Sequence, residues 1–142
     1  MATDHIVKSY DEELSRLTGI ITQMGGMAEN QLASAIQAMV KRDSELAAHT
    51  IERDVQVDNL EREVDNFVVR LLALRQPVAT DLRTIVTALR IAADLERIAD
   101  YAANVAKRAI ALNQVQPVRT MHSIPRMGEV VQAMIKDTLD AY

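Results

Sequence analysis

Residues 76–100 read QPVATDLRTIVTALRIAADLERIAD. Pro77 fixes its own φ and ends any preceding helix, yet it suits the first turn of a new one. Beyond it Leu82, Ile85, Leu89, Ala92, Glu96, Ala99, Ala103, Ala106 and Ile110 recur at alternating steps of three and four. This spacing predicts the seam of a long packed helix over 78–112, with a carboxylate on the seam at Glu96. A carboxylate placed there must be paired, protonated or bound to a cation, because bare burial of charge is too costly. Asp100 lies one turn on, along the same face. A second apolar line, Ile91, Leu95, Ile98, Ala102, Val105, Ala109 and Leu112, gives this helix two packed sides and predicts that it is the central element.

Working outward, residues 5–41 read as one helix. Tyr10, Leu14, Leu17, Ile21, Met24 and Ala28 hold the spacing, and Leu32, Ile36 and Met39 resume it after a one-residue slip. Met24-Gly-Gly-Met27 interrupts it with two residues that each cost about 1 kcal/mol relative to alanine in a helix interior. Either the helix kinks there or a neighbour approaches its backbone closely. Asp43 is a good N-cap for a second helix over 43–74, whose seam is Leu60, Val64, Phe67, Leu71 and Leu74. Beside that seam runs an acidic stripe, Asp54, Asp58, Glu61 and Asp65, offset by one position and so by about 100°.

Residues 113–127, with Pro117 and Pro125, read as a connection. Residues 128–142 begin a further helix with an apolar stripe at Val130, Val131, Met134, Ile135 and Leu139. Met127-Gly128 repeats Met24-Gly25, and at the same offset of 103 residues Ile135 repeats Leu32 and Leu139 repeats Ile36. The expectation is an all-α protein: an antiparallel three-helix bundle over 1–112, then the first helix of a second, shortened repeat.

The composition agrees. The chain has 142 residues, 49% of them hydrophobic but only 3% aromatic, which suits closely packed alanine-rich helices. With no cysteine there is no disulfide framework and no thiolate metal site. A formal net charge of −4 argues against nucleic-acid binding. The charged opening residues do not read as a signal peptide and no stretch reaches transmembrane length, so the expectation is a soluble, cytoplasmic protein without membrane insertion.

Short turns make the three long helices antiparallel neighbours, so residues equidistant from a turn lie level. Asp54 and Asp58 then bracket the height of Glu96, with Asp100 just beyond, and Asp54 lies level with Asn30, next to Glu29. Clustered carboxylates without cysteine or a suitable histidine are oxygen-donor chemistry, suited to Mg²⁺, Ca²⁺, Mn²⁺ or iron. Arg83, Arg90 and Arg97, at heptad spacing, offer the competing outcome in which the acids are ion-paired. A di-iron enzyme would show Glu-x-x-His pairs; His5, His49 and His122 form none. No nucleotide loop or nucleophile motif occurs, so no enzymatic activity is expected.

Four segments, Met24–Leu32, Asp54–Asp65, Arg75–Arg83 and Leu95–Asp100, together resemble the PhoU family. Ala99 stands where the family's Leu-Glu-Arg-Ile-Gly-Asp motif usually has glycine. The resemblance implies two repeated three-helix bundles, each with acidic Glu/Asp-x-x-x-Asp motifs that hold iron or zinc in some members. Those motifs correspond here to Asp54 and Asp58, Glu61 and Asp65, and Glu96 and Asp100. With Glu29 they form the expected metal set, for Fe, Zn, Mn or Mg. The resemblance also implies regulation of phosphate uptake by a non-enzymatic adaptor between the phosphate ABC transporter's ATPase subunit and a sensor histidine kinase. The protein would hold the phosphate-starvation response off. The seams left exposed on the third and fourth helices favour self-association, as a homo-oligomer such as a dimer. The contrasting expectation is a metal-binding or metal-storage bundle with no role in phosphate signalling.

Overall fold

The computed structural model describes residues 2–117 and 122–142, with side chains from Ser9 onward. Its four helices are α1 (Ala2–Lys41), α2 (Ser44–Arg75), α3 (Ala79–Asn113) and α4 (Ser123–Ala141). The described residues contain no strand. Asp43 caps α2 as its sequence position implies: its Oδ1 accepts the Leu46 N–H at 2.9 Å. The α2–α3 turn is made by Gln76 in the left-handed region, φ 47° and ψ 53°, followed by Pro77. The α1–α2 turn uses Arg42, also at positive φ.

The three long helices close around two core clusters, one at each end of the bundle. Leu17, Ile21, Met24, Val57, Val64, Val68 and Ile85 are fully buried, each aliphatic side chain contributing about 1.5–3 kcal/mol relative to exposure. At the other end the packing turns to alanine: Ala35, Ala38, Ala47, Ala102, Ala106 and Ala109 are all sealed from solvent. Side chains this small let the helices approach closely without strain.

Several expectations are corrected. Among the described residues the helix that packs closely on all the others is α1, not α3: α1 packs against α2, α3 and α4, while α3 packs on α1 and α2 and shares an open groove with α4. Two apolar lines are what any member of a three-helix bundle needs, so they do not mark a centre. The slip in α1 is also absent. Its buried line runs Met24, Ala28, Gln31, Ala35, Ala38, and Ile36 belongs instead to the face toward α4. Leu74 is 70% exposed and Leu82 39% exposed. A seven-residue repeat drifts about 20° per heptad on a straight helix, which carries the seam off the core before the turn. Finally, α4 begins at Ser123, inside the stretch read as a connection, because Pro125 is tolerated within a first helical turn.

The two glycines of α1 separate cleanly. A Cβ on Gly25 would come within 2.5 Å of the Leu139 side chain, whereas a Cβ on Gly26 would meet nothing within 4 Å. The close-approach explanation therefore holds for Gly25, and the helix runs unbroken through both.

Candidate functional site: an acidic face between α2 and α3

The acidic stripe of α2 faces Glu96 and Asp100 of α3. Asp54, Asp58, Glu61, Glu96 and Asp100 are all half-buried, and Asp65 is exposed. Burial pushes the Glu96 carboxyl above the usual carboxylate range, and the charges of Glu61, Asp58, Asp100 and Asp54 push it further. Glu61 is raised by burial, then by Asp65 and Asp58, against a small opposing effect of Arg62. Asp54 is raised by burial and by Asp58 and Asp100, partly offset by the Gln31 hydrogen bond and Lys107. Six of the seven expected acids are thus close enough to feel one another's charge.

Glu29 is not among them. Gln31 is the α1 residue that reaches this face, its Nε2 donating to Asp54 Oδ1 at 3.5 Å and to the Thr50 carbonyl at 3.4 Å. Glu29 precedes it by two residues, about 200° around the helix, in line with Gly25 and toward α4. The level of Asp54 against α1 therefore falls within one residue of the expected Asn30, but on the side of α1 that carries Gln31 and not Glu29.

The arginines of α3 do not neutralise these acids. Among the described residues Arg97 pairs with the exposed Asp94 on its own helix, at 3.9 Å, and with the Tyr101 hydroxyl, and it makes no ion pair with Glu96. Among the described residues none of the six acids takes part in an ion pair, and Arg83 and Arg90 take part in none either. The arginines at heptad spacing lie on the outer surface of α3, where all three are exposed. What remains is a groove of like charge, relieved only in part by Lys107 and Arg62 at a distance and by the amides of Gln31 on Asp54 and Asn104 on Asp100.

A cation would relieve it. The donors are all carboxylate oxygens, which suit Mg²⁺ and Mn²⁺ best, and iron or zinc less well. Among the described residues, however, no three His, Asp or Glu side chains converge closely enough to hold one ion in this conformation, so ligation requires rotamer changes across the α2–α3 groove.

Gln31 was missed, although the same signal that marked Glu96 was present: a polar residue at a three–four step on an apolar line. It is only 3% exposed, and its Oε1 has no hydrogen-bond partner among the described residues. Arg42 was also missed. Its guanidinium donates to the carbonyls of Leu112 at 3.1 Å, Asn113 at 2.9 Å and Val115 at 2.6 Å, tying the α1–α2 turn to the end of α3. No sequence spacing signals a contact over seventy residues of chain.

The family model described as PhoU domain matches residues 21–109, which hold every member of the acidic face. The chain belongs to the PhoU family. A relative from Caulobacter vibrioides named phosphate-specific transport system accessory protein PhoU homolog is 48% identical over 141 residues, covering 99% of this chain and 61% of its own length. Relatives of the same name from Zymomonas mobilis and Clostridium acetobutylicum are 41% and 40% identical, with 97% and 95% of this chain covered. This chain spans 58% and 62% of those two. The crystal structure of PhoU from Pseudomonas aeruginosa superposes with a TM-score of 0.89 at 39% identity, over 93% of this chain and 64% of that one. The PhoU fold thus accounts for all four helices. No helix among the described residues is long and apolar enough to cross a membrane.

Proposed function

We propose that this chain is a phosphate-specific transport accessory module that works by contact, as a cytoplasmic adaptor between the transporter's ATPase subunit and a sensor histidine kinase. The observation that supports the reading is identity of 48% across nearly the whole chain to a protein named for that accessory role. The adaptor catalyses nothing itself and represses the phosphate-starvation response when phosphate is plentiful. Capture of the ATPase subunit and of the kinase by the purified chain, with and without divalent cations, tests it. Deleting the gene should release phosphate-responsive transcription; unchanged transcription together with no capture would refute the reading.

The acidic face favours a second component. Asp54, Asp58, Glu61, Asp65, Glu96 and Asp100 would hold Fe, Zn, Mn or Mg, and the cation would supply the positive charge that this groove lacks. The double variant Glu96→Ala, Asp100→Ala should keep its helical content and lose bound metal. Metal retained in full by that variant would place the ions elsewhere. If metal binding persisted while phosphate signalling proved absent, the metal-bundle reading would stand alone.

The fourth helix opens a second bundle in this proposal, and residues 1–112 form the first. Its apolar outer face then seats the helices that follow in longer relatives, or, in this chain by itself, a second copy in a homodimer.

A further inference from the structure

α2 carries a second charged face, independent of the role proposed above. Arg62 and Arg70, with Arg16 of α1, line a shallow cleft of about 330 Å³. At about 100° per residue Arg62 lies roughly 70° and Arg70 roughly 150° around α2 from the acidic stripe, so the two arginines flank that stripe on one side, Arg62 near enough for Glu61 to feel its charge. Arg16 donates to Glu63 at 3.0 Å and lies 5.1 Å from the centroid of the Phe67 ring. The buried ring holds that guanidinium in place. Arg62 bonds only the neutral amide oxygen of Asn59, at 3.1 Å. Arg70 makes no ion pair among the described residues. Three guanidinium groups against one carboxylate leave the cleft with a net charge of about +2.

Arginine forks match carboxylates and phosphates alike, so spacing decides between ligands. Arg62 and Arg70 are eight residues apart, about 12 Å along the helix. A single phosphate cannot bridge that distance, while a peptide with carboxylates repeated along its length can. We infer that the Arg16–Arg62–Arg70 cleft is a docking surface for an acidic segment of a partner protein, with carboxylates spaced about 12 Å apart.

The test is binding of the full chain to a fluorescent twelve-residue helical peptide carrying glutamates eight positions apart, followed by anisotropy at low and physiological salt. Arg62→Glu with Arg70→Glu should weaken binding at least tenfold and flatten its salt dependence, while the circular dichroism spectrum stays the same. Arg83→Glu with Arg90→Glu on the outer face of α3 should bind like the parent. Equal loss in both double variants, or no loss in the first, overturns the proposal. So does competition at equal charge concentration by inorganic phosphate or by vesicles of phosphatidylserine.

Discussion

Gly25 of α1 receives Leu139 of α4, and Gly128 of α4 receives Ile36 of α1. The missing Cβ atoms would lie 2.5 Å and 3.0 Å from those side chains. The offset of 103 residues that carries Gly25 to Gly128 also carries Ile36 to Leu139, so the two contacts are one contact repeated about a local two-fold axis, in an antiparallel helix pair. The repeat legible in the sequence is thus a packing device as well as a likeness.

Gly25→Ala forces Leu139 out of its seat and loosens α4 while leaving the three-helix core intact. Tryptic cleavage after the exposed Lys136 should speed up several-fold, with little change in the melting of the bundle. Leu139→Ala in the same chain should remove most of the further effect of Gly25→Ala. Gly26→Ala is the control: with open space around it, it should stabilise the chain by about 0.5–1 kcal/mol and leave cleavage unchanged. Similar cleavage in the two alanine variants would contradict the seat.

The acidic face makes stability fall as pH rises. Glu96, Glu61 and Asp54 have folded-state pKa values above their ordinary ones. Between the ordinary carboxylate value and the raised one the folded chain binds more protons than the unfolded chain, so stability decreases with pH across that window. At neutral pH the three carboxylates therefore oppose folding. Glu96→Gln should stabilise the chain at pH 7, by on the order of 0.5 kcal/mol, and by less at pH 4. Millimolar Mn²⁺ should raise the melting temperature of the parent more than that of the variant. A Glu96→Gln chain less stable than the parent at pH 7 would mean the groove is already neutralised.

How far the sequence led depends on what kind of signal each feature leaves. Helix existence, the Asp43 cap and the level of Asp54 against α1 all follow from periodicity and short turns, which are local. The side of α1 on which Glu29 falls, the pairing of α4 with α1 instead of α3, and the reach of Arg42 depend on how the helices rotate about their axes. Small drifts of the apolar line set that rotation, and a pattern of threes and fours does not resolve them. The arginines of α3 show the same limit: heptad spacing placed them on one stripe but not on which side of the helix it lies.

Arg42 secures three carbonyls at the end of α3 with one guanidinium. Arg42→Ala should cost about 1.5–3 kcal/mol, the range for hydrogen bonds made by charged groups, and should lower the melting temperature by several degrees. Amide exchange should quicken at the last turn of α3 before any change in the core around Ile85. Uniform exchange along α3 would contradict the strap.

Gln76 sits in the left-handed region between α2 and Pro77, where a side chain costs about 1 kcal/mol. Gln76→Gly removes that strain but gives the unfolded chain more freedom, so a net gain of about 0.5 kcal/mol is expected. Denaturant unfolding with an unchanged slope and a higher midpoint is the readout; a lower midpoint would show that the Gln76 side chain itself contributes.

The offset that relates the glycines also relates a covered face to an open one. Met24 is sealed and Gln31 is 3% exposed against α2 and α3, yet their counterparts Met127 and Met134 on α4 are 58% and 62% exposed. The residues of α4 that are buried, Gly128 and Ile135, lie on its side toward α1. Under the proposal that α4 opens a second bundle, this open face takes the same kind of cover, a pair of helices packed as α2 and α3 pack on α1. With Met134→Cys as a probe, maleimide labelling should be fast in this chain. It should slow at least tenfold when the chain is extended by the remaining length of a longer relative. Cysteine at Val55, 59% exposed on α2, should label at the same rate in both. Equal labelling at position 134 with and without the extension would show that this face is covered by something other than a second bundle.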